Sequence, residues 1–257
     1  MKLAIAGKGG SGKTSIAGTV ARICGREGKR VLAIDGDSNP NLALTLGIPA
    51  ERMNEVPTLP RDLLRRTDDG IELTKTLRDV RSSHSLQGPD GVTLLVMAHP
   101  KPEEAAKGCL CGMHATVRTL IESTTDDDAE LTVLDTEASP EHLTRGTAKY
   151  ADTMLTVVEP YYKSLETGRR MAALARDLGL QEVKLVANKV RDERELEAVR
   201  EFAAKHGLEL AGVVPYDEAL PEAERVEAAP LDFAPEAPAV RAIADIAEGM
   251  LANGGSG

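Results

Sequence analysis

The sequence predicts an α/β fold in which a doubly wound, mainly parallel β-sheet is flanked by helices. Short runs of consecutive apolar residues recur along the chain, which is typical of strands buried on both faces. Segments of helical periodicity separate these runs, and several of them end at glycine. Since strand–helix alternation of this kind builds parallel sheets, we expect helices on both faces of one sheet.

The predicted elements follow one another in a regular order. The strands are Leu3–Ala6, Val31–Ile34, Val92–Met97, Leu131–Leu134, Thr153–Val158, Val183–Ala187 and Leu208–Val214. The helices are Thr14–Glu27, Ser164–Leu178, Asp192–His206 and one near Pro238–Leu251. Residues 49–90 are less regular, with helical pieces around Arg61–Arg66 and Thr74–Val80, and we interpret them as an elaborated crossover. The sequence therefore predicts one domain over residues 1–252 and a flexible tail at 253–257.

The composition limits the kinds of protein that this chain can be. Its 257 residues carry a formal net charge of −10, and only 2% of them are aromatic. Such a chain is unsuited to coating nucleic acid, which needs cations and stacking rings. No apolar run approaches the ~20 residues of a membrane span. Three cysteines without a secretory signal favour a reducing cytoplasm.

A glycine-rich loop joins the first predicted strand to the first predicted helix. Residues 7–14 read GKGGSGKT and fit the phosphate-loop pattern G-x-x-x-x-G-K-[ST]. Its glycines let backbone N–H groups turn toward an anion, and the helix N-terminus adds partial positive charge. Lys13 can reach the β- and γ-phosphates of a nucleotide, and the Thr14 hydroxyl can hold Mg²⁺. The predicted nucleotide-binding residues of the loop are Gly7, Lys8, Gly9, Gly10, Ser11, Gly12, Lys13, Thr14 and Ser15.

Carboxylates follow two of the predicted strands. Asp35 and Asp37 come at the end of the second strand, and Asp135 ends a later one. The carboxyl ends of the strands form the rim where sheets of this kind bind ligands. We expect Asp135 to hold Mg²⁺ through water, together with Thr14 and Asp37. The alternative is that Asp35 and Asp37 only stabilise a turn, and that Asn41 caps a short helix.

Two cysteines lie close together before a further helical segment. In extended backbone the side chains of Cys109 and Cys111 point to the same side, roughly 7 Å apart. Their thiolates can therefore share one soft metal ion, and a two-fold dimer would supply four sulfur ligands. Two small hydrophobic side chains, or a redox pair, are the alternatives. His114 is either a further ligand or a solvated side chain, and Cys24 falls on the inner stripe of the first helix.

The second lysine of the glycine-rich loop carries a more specific resemblance. With Lys8, the loop resembles the deviant Walker A signature K-G-G-x-G-K-[ST] of the MinD/ParA/nitrogenase-iron-protein/ArsA group of P-loop NTPases, the SIMIBI type. The resemblance implies that ATP closes a homodimer in which Lys8 reaches the partner's nucleotide. It also implies that Asp37 orients the attacking water and that Asn188 and Pro215 contact adenine. The catalytic residues would then be Lys8, Lys13 and Asp37.

Further motifs are similar to those of the CooC-type carbon monoxide dehydrogenase maturation ATPases. They comprise Gly108–Cys111 with His114 and Arg118, and Asp135–Ala138 with Glu141–His142. The resemblance implies an ATPase that binds nickel through the cysteine pair and delivers it to a Ni-Fe-S client enzyme. Because no arginine finger is evident in the sequence, we expect slow hydrolysis, and the net charge and the C-terminal composition argue against nucleic acid and membrane as partners. Sulfur ligation alone would favour zinc as readily, so nickel rests on the resemblance.

Two other functions stay open. A MinD/ParA-like switch would use ATP to control binding to a surface. However, residues 237–257 contain one Arg and no Lys and so lack the basic face of a membrane-surface helix. An iron–sulfur carrier would also use cysteines that bridge a dimer. Ser139 stands where the CooC-type family has glycine. A position that needs a positive φ would strain serine, so this difference concerns the function of the segment after Asp135 and not the fold.

Overall fold

The computed structural model describes residues 1–38, 40–53, 57–60, 62–68, 70–97, 111–136 and 146–254. Its strands are β1 (Lys2–Gly7), β2 (Val31–Gly36), β3 (Leu64–Thr67), β4 (Gly70–Leu73), β5 (Ser85–Gln87), β6 (Thr93–Val96), β7 (Leu131–Thr136), β8 (Thr153–Val158), β9 (Glu182–Val190) and β10 (Glu209–Pro215). Its helices are α1 (Lys13–Arg26), α2 (Leu42–Thr45), α3 (Ala50–Met53), α4 (Leu77–His84), α5 (Cys111–Ser123), α6 (Tyr162–Asp177), α7 (Glu193–Lys205), α8 (Ala219–Arg225), α9 (Pro230–Phe233) and α10 (Pro238–Gly254). A 3₁₀ turn covers Pro89–Gly91.

Eight strands form one sheet in the order β10-β9-β8-β1-β7-β2-β6-β5. Among the described strands of this sheet, β5 alone is antiparallel to its neighbour, and the other pairs are parallel. All seven predicted strands are present, as β1, β2 and β6 to β10. The predicted fold class is therefore confirmed. This topology brings the carboxyl ends of β1, β2, β7, β8 and β9 to a common edge.

The sheet is covered on both faces, and the two faces have separate apolar clusters. Helices α1 and α10 pack on one face through residues such as Ile16 and Ile243. Helices α5 and α6 pack on the other through residues such as Val117 and Met171. Every residue of β2, β7 and β8 is buried, which explains why none of these strands alternates apolar residues with exposed polar ones. Cys24 is fully buried in the first cluster, as its place on the inner stripe of α1 predicts.

The segment 49–90 differs in part from its prediction. The helical piece expected around Arg61–Arg66 is wrong over the described residues 62–66, because a turn there leads into β3, which pairs with β4 in an antiparallel hairpin. Arg61 lies outside the described residues. Arg65 and Glu72 face each other across this hairpin with 3.2 Å between their charged groups. Opposite charges on neighbouring strands stabilise such pairs, and a local pattern does not show them. The helix expected near Thr74–Val80 is α4, which begins three residues later.

The C-terminal helix α10 packs inward. It lies against α1 and β10 and buries Val240, Ile243 and Ala247. The helix extends to Gly254 and so includes the first two residues of the segment expected to be a flexible tail. In the part of the chain that the structure describes, no helix has both the length and the apolar character that crossing a membrane requires.

A buried arginine in α1 ties three distant segments together. Arg22 is 2% exposed, and its guanidinium donates to both carboxylate oxygens of Asp232 at 2.8 Å. It also donates to Asp90 and, at 2.7 Å, to the carbonyl oxygen of Leu46. Arg26 contacts the same two carboxylates one turn later, but its side chain is 42% exposed. Arg22 therefore holds α2, α9 and the 3₁₀ turn on the helix that begins at the glycine-rich loop.

We expect Arg22→Met to lower the free energy of unfolding by about 3 kcal/mol, because it leaves two carboxylates without their buried partner. Arg26→Met is the matched control and should cost less than about 1 kcal/mol, because its ion pairs are solvated. Urea denaturation of both variants measures the difference. Equal losses would show that burial does not set the strength of this cluster.

Candidate functional site

The glycine-rich loop lies at the carboxyl end of β1, between β7 and β8. Close contacts between the loop backbone and neighbouring strands determine the shape of the loop. A Cβ on Gly7 would lie 2.5 Å from the carbonyl oxygen of Val157, so the loop can leave the strand only at glycine. Gly12, the N-cap of α1, has φ +93°, and a Cβ there would collide with the Asn188 amide. The loop therefore needs glycine at both of its ends.

Two side chains at the end of β9 hold the loop in place. Asn188 is buried, and its Nδ2 donates to the Ser11 carbonyl oxygen at 2.7 Å. Lys189 has φ +60°, which is uncommon for a residue other than glycine. Its Nζ donates to the Gly10 carbonyl oxygen at 2.5 Å and lies 3.0 Å from the carboxylate of Glu159. These contacts fix two carbonyl groups of the loop away from the bound anion that its N–H groups would face.

The residues predicted to contact adenine lie on neighbouring strand ends. Asn188 is on β9, and Pro215 ends β10 opposite Val190 of β9. The Arg191 guanidinium lies over the ring of Tyr216, 4.6 Å from its centroid. The structure shows Asn188 as a support of the loop, while contact of Asn188 and Pro215 with a base stays a prediction.

Lys8 lies against a tyrosine of its own chain. Its Nζ donates to the Tyr161 hydroxyl at 3.2 Å and lies 5.2 Å from the ring centroid. That hydroxyl in turn donates to Glu159 at 3.0 Å, and Glu159 is the ion-pair partner of Lys189. Sequence reasoning missed Glu159 and Tyr161. Both follow β8, the strand beside β1, so their place at a strand's carboxyl end was the signal that could have found them.

Thr14 and Asp135 meet next to the loop. The Thr14 hydroxyl donates to Asp135 Oδ2 at 2.5 Å, and Asp135 is 1% exposed. The other carboxylate oxygen, Asp135 Oδ1, and the buried Ser11 Oγ have no hydrogen-bond partner among the described residues. Buried polar atoms without partners are rare, and here they adjoin a loop suited to phosphate. Mg²⁺ binds one or two protein oxygens together with substrate phosphates, so Thr14 and Asp135 fit this ion.

Carboxylates crowd this edge of the sheet. Asp35 lies opposite Asp135 on the paired strands β2 and β7. Burial raises the pKa of both, and the charge of Asp35 raises the pKa of Asp135 further. Asp35 accepts hydrogen bonds from the backbone N–H of Leu42 at 2.9 Å and of Asp37 at 3.1 Å, so it caps α2, whereas the Asn41 side chain makes no capping hydrogen bond. Asp37 is half-buried, and its predicted role toward Mg²⁺ and water stays a prediction.

The described residues include only part of the predicted cysteine site. Cys109 and the segment 137–145, with Ser139, lie outside them. Cys111 is the first residue of α5. His114 is 1% exposed, so the expectation of a solvated side chain is wrong, because α5 packs that residue against a buried turn. Within the described ranges, no group of three or more His, Cys, Asp or Glu side chains is arranged to hold a metal ion.

The parallel sheet, the loop at the end of β1 and the Thr14–Asp135 pair define a P-loop nucleotide-binding protein. Residues 2–231 match the family model CbiA, described as the CobQ/CobB/MinD/ParA nucleotide binding domain. The chain belongs to this family.

Several proteins are similar to this chain over most of its length. The carbon monoxide dehydrogenase accessory protein CooC of Rhodospirillum rubrum is 34% identical over 244 residues, 91% of either chain. An uncharacterized ATP-binding protein of Methanocaldococcus jannaschii is 36% identical over 234 residues, 87% of this chain and 88% of that protein. The structure of the septum site-determining protein MinD of Pyrococcus horikoshii OT3, complexed with Mg-ADP, matches this chain with a TM-score of 0.76 at 21% identity. The match covers 99% of this chain and 97% of the MinD chain. At that identity the last comparison supports the fold alone.

We expect Asp135→Asn to stabilise the nucleotide-free protein more at pH 8 than at pH 5. Because the pKa of Asp135 is raised in the folded state, folding favours its protonated form. The contribution of this group is complete below the ordinary Asp pKa of about 3.9 and is lost as the pH rises through the raised value. Asparagine removes the charge and keeps an acceptor for Thr14. Urea denaturation at both pH values measures the effect, and a difference independent of pH would contradict it.

Proposed function

We propose that this protein is an ATP-hydrolysing metallochaperone. It dimerises with nucleotide, binds nickel through Cys109 and Cys111, and delivers it to a Ni-Fe-S enzyme such as carbon monoxide dehydrogenase. One observation carries the proposal: the chain is 34% identical, over 91% of its length, to an accessory protein of carbon monoxide dehydrogenase, and it has the Cys-x-Cys pair. A two-fold dimer would bring two such pairs together, which is enough for a closed sulfur site.

The described residues support the nucleotide part of the proposal. The loop N–H groups and Lys13 bind the phosphates, and Thr14 and Asp135 hold Mg²⁺, which neutralises phosphate charge when bound. Asp37 lies at the rim and orients the attacking water. Phosphoryl transfer needs positioning and charge neutralisation more than covalent chemistry from the protein, and these groups supply both.

The contacts of Lys8 support the dimer part. Lys8 is half-buried and rests against the exposed Tyr161, and the next residue, Tyr162, is 72% exposed. A hydrogen bond at such a surface is weak, so a partner's phosphates can replace the tyrosine as the contact of Lys8. The surface-binding switch is supported less, because α10 turns its apolar face to the core.

We expect Lys8→Ala to abolish nucleotide-dependent dimerisation and to lower the rate of ATP hydrolysis by about 1,000-fold or more, which is the scale of a charge supplied in trans. Binding of ATP to the monomer should change little, because Lys13 and the loop stay in place. Lys163→Ala, at an exposed position of α6, is the control. Sedimentation with a non-hydrolysable ATP analogue checks the prediction, and a Lys8→Ala protein that dimerises normally refutes it.

We expect the anaerobically reduced protein to bind one nickel ion per dimer in the presence of Mg·ATP. Cys109→Ser/Cys111→Ser should lose the metal and keep ATP binding, whereas Cys24→Ala, in the core, should keep both. Equilibrium dialysis with metal analysis and native mass measurement give the stoichiometry. Parallel samples with zinc, and the visible absorbance of an iron–sulfur cluster, decide the identity of the metal. Protein that dimerises on ATP without any metal contradicts the metallochaperone and favours the switch.

A further inference from the structure

The segment that carries Asp37 is held where it leaves the sheet. Asp35, near the end of β2, is fully buried. Its Oδ1 accepts a hydrogen bond from the backbone N–H of Asp37 at 3.1 Å, and its Oδ2 accepts one from the backbone N–H of Leu42 at 2.9 Å. One carboxylate thus joins Asp37 to the first residue of α2, and the position of Asp37 depends on where α2 lies.

The other end of α2 is held from α1. The Arg22 guanidinium donates to the Leu46 carbonyl oxygen at 2.7 Å inside the core. The Leu46 N–H donates to the Leu42 carbonyl oxygen at 2.9 Å, which closes the helical turn between the two contacts. A carboxylate at the start of a helix and a cation at its end also suit the helix dipole. Asp35 and Arg22 therefore fix α2 at its two ends.

The contact between α1 and α2 leaves no room for a shift. A Cβ on Gly18 of α1 would lie 2.5 Å from Thr45 Cγ2 of α2. Gly47, just after α2, has φ +77°, and a Cβ there would lie 2.8 Å from the Arg22 guanidinium. Because surfaces packed this closely interdigitate, α2 cannot move without displacing Arg22 or Thr45.

We propose that Arg22 is a positioning residue for ATP hydrolysis, which places Asp37 through α2 and Asp35. Arg22 lies nine residues after Lys13 on α1, about 13.5 Å along the helix axis, so it acts at a distance from the phosphates. The proposal rests on the proposed function, which gives Asp37 its role toward the attacking water. The contacts that connect Arg22 to Asp37 do not depend on that role.

Steady-state ATP hydrolysis separates positioning from binding and from stability. Arg22→Met should lower kcat by about 100-fold, the loss that a displacement of about 1 Å can cause, and should leave the KM for ATP within about twofold. Asp232→Asn is the matched control, because it weakens the ion pair but leaves Arg22 in contact with the Leu46 carbonyl. It should destabilise the protein and keep the wild-type kcat. All variants are assayed at a temperature at which circular dichroism shows them folded.

A double substitution shows whether Arg22 acts through Asp37. In Asp37→Asn protein, the further change Arg22→Met should lower kcat by less than about twofold, because the group to be positioned is gone. An independent loss of about 100-fold in that background would show that Arg22 acts by another route.

Amide hydrogen exchange of the nucleotide-free protein gives a readout that needs no activity. Arg22→Met should speed exchange over residues 37–46 by about tenfold relative to β2, the scale of one lost hydrogen bond, whereas Asp232→Asn should not. If Arg22→Met fails to fold, Gly18→Ala displaces α2 in a second way, because its Cβ meets Thr45 while the ion pairs of Arg22 stay in place. It should lower kcat and speed exchange in the same manner.

Three results overturn the inference: wild-type kcat in folded Arg22→Met, an equal loss of kcat in Asp232→Asn, or unchanged exchange over residues 37–46 in Arg22→Met. Failure of the proposed function is read from other measurements. Wild type that hydrolyses ATP but binds no nickel removes the metallochaperone and leaves the inference standing. A wild-type kcat in Asp37→Asn removes the proposed role of Asp37, whatever the exchange data show for Arg22.

Discussion

The hydrogen bond between Thr14 and Asp135 is the interaction on which the site depends. It joins the first turn of α1 to the end of β7 and so fixes the glycine-rich loop relative to the sheet. The carboxylate is buried beside Asp35, where its charge is unfavourable without a cation. The unfavourable burial of negative charge therefore falls at the point where Mg²⁺ and nucleotide phosphates would bind. Sites that break the rules of a stable core in this way are characteristic of function.

Side chains from neighbouring strands fix the rest of the loop in one conformation. Asn188 and Lys189 from β9 hold its carbonyl groups, and Glu159 neutralises Lys189 beside it. A loop already in its binding conformation loses little entropy when an anion arrives. Lys8 is the exception, since it rests against Tyr161 at the surface. The preorganised part of the loop suits binding of nucleotide by one chain, and Lys8 is the residue that contacts the nucleotide of a second chain in the proposed function.

Elements that depend on residues close together in the chain can be predicted from the sequence. Strands β1, β2 and β6 to β9 are predictable because burial of most of their residues leaves short stretches rich in apolar residues. The phosphate loop is predictable because its chemistry demands a fixed spacing. The hairpin of β3 and β4 was missed, since it depends on a cross-strand partner for Arg65. The contact of Lys8 with Tyr161 spans 153 positions, and the burial of His114 depends on Thr147, 33 positions away. Such contacts exist only once the sheet order is known.

In the proposed function, nucleotide and metal act on one assembly, and thermodynamic linkage tests this most directly. If ATP changes the affinity for nickel by some factor, nickel must change the affinity for ATP by the same factor. Isothermal titration of the reduced protein with a non-hydrolysable ATP analogue, with and without bound nickel, measures that factor. We expect two different ATP affinities, related by the factor found in the nickel titrations. Identical ATP affinities with and without nickel would contradict it.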